Sequence, residues 1–346
     1  MANEHWLDVL DEFSPPARFE SLPRAKQTAQ DDVMEQKPAA SNAYVPGVPQ
    51  RPPMIDTPRF GLGKLGAYAR RLGLDRRSQS SAGDTARVLN LASGKGGTGK
   101  SVMAANLAIS RAKRGERVLL VDFDAGLANA HLMLGLAPRY DLSHVLTGEV
   151  EAIDALEVGP HGLRLLSGGV GRDVLANPTR RELDRLYRAL RPLEDAFDLI
   201  IIDHGAGLGY SLVTQLAATS TMLLVTNHEA TALSDSYALY KRAHLVNPYI
   251  RVGLVINRVP SQEKATAAWE RFRGAAQRFL GHAPEWVGWV PADPSVSRSI
   301  EARVPVVLHD PESPAARALS NISEWKPIEH ARSARPFFER ARGALR

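Results

Sequence analysis

The sequence predicts an α/β fold built on a doubly wound, mainly parallel sheet, because short apolar runs and helix-compatible segments alternate from Arg87 onward. The glycine-rich stretch Ser93-Gly94-Lys95-Gly96-Gly97-Thr98-Gly99-Lys100-Ser101 follows the first apolar run and leads directly into a helical pattern. Strand, loop and helix in that order are the setting that a phosphate-binding loop of the Walker A kind requires.

The first strand is Val88-Leu89-Asn90-Leu91-Ala92, and further apolar runs at 117–122, 163–167, 198–203, 221–226, 252–257 and 286–290 read as buried strands. Helix-compatible segments at 101–114, 178–192, 211–219, 231–246, 262–280 and 314–325 separate most of them and are long enough to serve as crossovers. In such sheets ligands sit beyond the carboxyl ends of the strands, which is where the loop at 93–101 falls. The chain shows no internal repeat and a single phosphate loop.

The bulk properties exclude several chemistries. At 346 residues the chain can bury a large core, and the absence of cysteine rules out disulfides, thiolate zinc sites and cysteine-held iron–sulfur clusters. No apolar run reaches the roughly 18 residues that a spanning helix needs, and Met1-Ala2-Asn3-Glu4-His5-Trp6 lacks the basic start of a secretory signal, so a cytoplasmic location is expected. The net charge of +5 is unevenly spread. Residues 1–35 carry eight acids against Arg18, Arg24 and Lys26, whereas 58–78 carry six basic residues against Asp75 alone. Basic segments of this kind suit solvated tails, anionic lipid or nucleic acid.

Three regions are expected: a largely disordered N-terminal extension at 1–86, a nucleotide-binding domain at 87–326, and a basic amphipathic tail at 327–346. Within the extension, Glu4 to Phe13 forms a short apolar motif suited to docking on a protein partner, and a proline-punctuated linker follows it. Phe60 to Leu74 mixes leucines, aromatics and arginines as an interfacial helix would, although its glycines disfavour a helix. In the tail, arginines alternate with Phe337, Phe338 and Leu345, which suits peripheral membrane docking. His131, His144 and His228 are scattered and read as structural, and Trp286 and Trp289 as core or rim packing.

In the loop, the glycines let backbone N–H groups turn toward phosphates, and the helix that follows adds its positive end. Lys100 is placed to contact the β/γ-phosphates and Ser101 to ligate Mg²⁺. An ordinary phosphate loop needs one lysine, and Lys95 is a second. Asp122 and Asp124 end the second strand, and Leu199-Ile200-Ile201-Ile202-Asp203 is a Walker B pattern that delivers an aspartate to the metal's side.

Lys95-Gly96-Gly97-Thr98-Gly99-Lys100-Ser101 resembles the deviant Walker A loop of the MinD/ParA ATPases. The resemblance implies ATP and Mg²⁺ as cofactors, bound along Gly94–Val102, and an ATP-state homodimer in which Lys95 reaches the partner's phosphates. It implies Lys95, Lys100 and Asp124 as catalytic, with Asp124 positioning the attacking water. It also implies Asn129, Asp203, Gly205 and Gly207 as further switch residues, with Asp203 acting on the metal through a water. Asn257 and Arg258, together with Pro291, Ala292 and Asp293, match family segments beside the nucleotide base. Within the family, the strings 126–129, 142–149 and 232–239 are similar to the FlhG (FleN) branch, which implies a slow ATPase switch regulating flagellar number or placement. Four departures stand out: His204 where the family usually has Thr or Ser, Asn227-His228-Glu229-Ala230-Thr231 in place of Thr-Pro-Glu-Pro-Thr, no Asp-Gln-Ala activating motif, and no counterpart for residues 1–86. The alternatives are a ParA-like partitioning ATPase with nonspecific DNA binding, a regulator of another secretion or surface-assembly system, a metabolic ligase on the same fold, and a non-hydrolysing scaffold.

Overall fold

Apolar strands that cannot face water on either side need helices over both faces, and the chain supplies them in alternation. The structure, a computed structural model, describes residues 85–124, 128–169, 178–206, 209–327 and 335–345. In chain order the elements are β1 (Arg87–Ala92), α1 (Lys100–Lys113), β2 (Val118–Phe123), α2 (Ala130–Met133), α3 (Leu142–Thr147), β3 (Glu157–Val158), β4 (Arg164–Leu166), α4 (Arg180–Leu190), β5 (Leu199–His204), α5 (Tyr210–Ala218), β6 (Thr221–Thr226), α6 (Ala230–Val246), β7 (Arg251–Val259), α7 (Gln262–Leu280), β8 (Glu285–Pro291), α8 (Pro294–Glu301), α9 (Val306–His309), α10 (Pro314–Ile322) and α11 (Phe337–Gly343). Each expected strand is present. The expected helix at 178–192 ends earlier as α4 and tightens into a 3₁₀ turn at Arg191–Asp195, because Pro192 has no N–H to continue it. The calls on residues 1–84 lie outside the described residues.

The eight strands are ordered β3-β4-β2-β5-β1-β6-β7-β8, and every pair is parallel except β3–β4. The chain leaves β1 in one direction toward β2 and later passes from β5 to β6 in the other, so the order reverses beside β1. That reversal opens a crevice at the carboxyl end of β1, and the loop at 93–101 occupies it. Register places Leu91 and Asp122 opposite Asp203 on either side of β5, so the acidic strand ends meet at the loop.

Alternate positions of the central strands, Leu89, Leu91, Leu120 and Ile201 among them, are buried with α1, α9 and α10 on one face. Each such side chain contributes roughly 1.5–3 kcal/mol when fully buried. On α4 and α5 lies α11, with Phe337, Phe338, Ala341 and Leu345 buried and the Phe338 ring stacked on Tyr187 at 6.0 Å. Glu194 accepts hydrogen bonds from the Phe337 and Phe338 backbone N–H groups at 2.8 and 2.7 Å, capping the start of this helix. This corrects the expectation of an apolar docking face on the tail. Phe337, Phe338 and Leu345 are taken up inside the fold, and what α11 turns outward is polar.

Candidate nucleotide-binding site

Three glycines shape the loop in different ways. Gly97 and Gly99 have φ of 76° and 86°, a left-handed backbone that other residues adopt only with strain. Gly94 packs flush on α6: a Cβ there would stand 2.2 Å from the Asp235 carbonyl carbon. α1 starts from Gly99 with no side-chain cap and no acid in its first turn, which leaves its positive end open to an anion.

The two lysines part company. Lys100 is buried, and its Nζ donates to Asp203 Oδ1 at 2.5 Å and to Ser101 Oγ at 3.5 Å. Lys95 is exposed at the rim, where its Nζ donates to Thr231 Oγ1 at 3.4 Å. One charge is thus spent inside the site and the other faces outward.

Three carboxylates converge behind Lys100. Asp122 is fully buried, and burial first, then the charge of Asp203, hold it well above the usual carboxylate range. Its oxygens accept the Asp124 and Ala130 N–H groups at 3.0 and 3.1 Å, so one side chain pins both ends of the segment between them. Asp124 is half-buried and is also raised, by burial foremost, with Lys100 opposing and Asp203 adding. Gly205 lies against it, since a Cβ there would be 3.4 Å from Asp124 Oδ1. Asn129 is exposed and begins α2 without a side-chain cap, while Gly207 lies outside the described residues.

Asn257 and Arg258 reach the loop from β7. Asn257 Nδ2 donates to the Thr98 carbonyl at 2.7 Å, and Arg258 Nη1 donates to the Gly97 carbonyl at 3.2 Å. Both therefore brace the phosphate loop. Pro291 ends β8, Ala292 N–H donates to the Val259 carbonyl at 2.9 Å, and Asp293 accepts from Ser295 and Ala315 N–H at 2.9 and 3.0 Å. Asp293 thus anchors α8 and α10 with both carboxylate oxygens.

In the sequence Asp122 reads only as one of two carboxylates at a strand end, and Asn90 as one position of an apolar strand. An asparagine inside the apolar run Val88–Ala92 was the available signal, because a buried amide must find partners.

Asp203 Oδ2 and Thr98 Oγ1 are buried with no hydrogen-bond partner among the described residues. Asp203 and Ser101 both meet Lys100 Nζ, and their oxygens are hard donors of the kind that fits Mg²⁺ bound directly or through water. Among the described residues no helix is long and apolar enough to cross a membrane.

Residues 89–306 match the CobQ/CobB/MinD/ParA nucleotide binding domain. The chain is 32% identical to antiactivator FleN of Pseudomonas aeruginosa over 69% of its own length and 85% of that protein. It is 30% identical to the flagellum site-determining protein YlxH of Helicobacter pylori, over 56% of its own length and 65% of that protein. Among solved structures it resembles the septum site-determining protein MinD of Pyrococcus horikoshii, complexed with Mg-ADP, with a TM-score of 0.59 and 27% identity, covering 69% of this chain and 95% of that one. Loop, strand order and the extent of the match agree, and the chain belongs to the CobQ/CobB/MinD/ParA nucleotide-binding family.

Proposed function

We propose that the chain is an ATP-dependent dimerising switch that hydrolyses ATP slowly and regulates the number or placement of flagella. The division of labour between the two lysines carries this reading: Lys100 is buried on Asp203, whereas Lys95 stands exposed at the rim of the same loop. At the rim, Lys95 is placed to reach the nucleotide of a second copy. The names of FleN and YlxH supply the flagellar part.

On ATP binding, Lys100 exchanges Asp203 for the β- and γ-phosphate oxygens, while the Gly96–Lys100 amides and the α1 N-terminus line the phosphates. Ser101, and Asp203 through a water, would hold Mg²⁺, which would supply charge neutralisation to the phosphates. Asp124 orients the water that attacks the γ-phosphorus, and Lys95 of a second copy completes the phosphate site. Asn257, Arg258, Pro291 and Ala292 form the edge at which the base rests. Electrostatic positioning is most of phosphoryl-transfer catalysis, so a subunit without its partner's lysine turns over slowly. Residues 1–86 recruit the protein partner. Phosphate release from ATP tests the core of this reading: Asp124→Ala should lower turnover about a hundredfold or more while ATP still binds. Equal turnover in the variant would remove Asp124 from the mechanism.

A further inference from the structure

Leu89, Leu91 and Ile201 face α1, so Asn90 and His204 face the opposite layer of the sheet by strand alternation. Both are buried, with Asn90 fully so and His204 1% exposed. His204 Nε2 lies 2.6 Å from Asn90 Oδ1, Asn90 Nδ2 donates to Thr219 Oγ1 at 2.8 Å, and Thr219 Oγ1 donates to the Gln215 carbonyl at 2.7 Å. The directions in this chain are determined. The one hydroxyl hydrogen of Thr219 goes to Gln215, so Thr219 must accept from the Asn90 amide, and Asn90 Oδ1 must accept from His204. The imidazole therefore carries its hydrogen on Nε2. Burial, and then the charge of Lys100, hold the ring neutral, its pKa pushed down to about 3.

The position of this bond gives it a consequence beyond packing. His204 lies between Asp203, the partner of Lys100, and Gly205, which rests against Asp124. Asn90 stands three residues before Ser93, where the phosphate loop begins. The bond thus joins the strand carrying the loop to the strand carrying the Asp203–Gly205 turn, one step behind the reacting groups.

We propose that His204 is a positioning residue. Its hydrogen bond to Asn90 sets the direction in which Gly205 leaves β5, and so keeps Gly205 against Asp124. The inference rests on the ATPase reading above for its effect on turnover, but not for its effect on the backbone.

The full chain is compared with His204→Gln, which keeps an N–H donor at similar reach, His204→Leu, Asn90→Ala and the Leu/Ala double variant. Two quantities are read: kcat and KM for MgATP, and hydrogen exchange of the Gly205 and Ala206 amides. His204→Leu and Asn90→Ala should each lower kcat about tenfold or more, with KM within about threefold of the parent, as a small misplacement of a reacting group does. His204→Gln should stay within about threefold of the parent, and the double variant should be no slower than the slower single. Exchange at Gly205 and Ala206 should be about tenfold faster in the leucine variant than in the parent or the glutamine variant. If His204→Leu does not fold, Asn90→Ala reports on the same bond. Unchanged turnover in a folded Asn90→Ala, a glutamine variant as slow as the leucine one, or losses that multiply would overturn the proposal. A parent chain without turnover, or turnover indifferent to Asp124→Ala, contradicts the ATPase reading instead. The exchange rates then decide alone, and equal rates in all variants overturn the positioning role.

Discussion

Gly94 and Gly96 stand two residues apart in one loop and tolerate change differently. A Cβ at Gly94 meets α6 backbone at 2.2 Å, whereas one at Gly96 meets nothing within 4 Å. Gly94→Ala must therefore push the loop off α6, and we expect a loss of about 1–3 kcal/mol together with weakened nucleotide binding. Gly96→Ala should leave stability within about 0.5 kcal/mol of the parent. Thermal unfolding and titration with a fluorescent ATP analogue check both. Lys100 gives a second test at this scale. Removing it leaves Asp203 buried and unpaired, behind an Asp122 already short of compensating charge, so Lys100→Ala should lose about 3–5 kcal/mol as well as ATP binding. A variant as stable as the parent would show that Lys100 and Asp203 are not paired in the protein without nucleotide.

At the scale of elements, the tail helix shows what patterning can and cannot tell. Phe337, Phe338 and Leu345 among arginines declare an apolar face, but amphipathicity does not say which surface covers it. The partner surface comes from α4 and α5, and its anchor is Glu194, remote in sequence and unremarkable there. Burial pushes Glu194 up to about 7, against the pull of the Phe338 and Phe337 N–H groups and Arg191. An acid whose pKa is higher folded than unfolded keeps its proton better in the native state. Its contribution to stability is therefore present below the unfolded value of 4.5 and is lost as pH rises through about 7. Unfolding measured from pH 4.5 to 7.5 should show a decline of about 3 kcal/mol at most from this group, and Glu194→Gln should remove it. A decline equal in both proteins would assign it to other groups. The seven central and outer parallel strands were legible because each is a short apolar run bounded by breaks, and the long crossover helices because they span several turns. α2, α3, α8, α9 and the two-residue β3 were not, since two to eight residues carry too little periodicity to separate from loop. In the site, the phosphate loop and Asp203 could be read from spacing. The roles of Asp122, Asn90 and His204 could not, because each depends on which strands become neighbours.

For the molecule as a whole, the site sits where the strand order reverses, so ligand energy is delivered to the centre of the sheet. Saturating MgATP should raise stability by about 2.7 kcal/mol at a hundredfold excess over its dissociation constant, seen as a higher unfolding temperature, and Lys100→Ala should abolish the rise. Lys100 is enclosed and Lys95 is exposed, and in the proposed function the nucleotide is held by one subunit while its charge is completed by another. The most direct test of that claim is the solution mass of the full chain with ATP, with ADP and with no nucleotide, measured in an Asp124→Ala background that preserves ATP. A dimer is expected with ATP alone, and a monomer in all three states once Lys95→Ala is added, with ATP affinity retained. A mass that never changes with nucleotide, or a Lys95→Ala protein that dimerises like its parent, would contradict it.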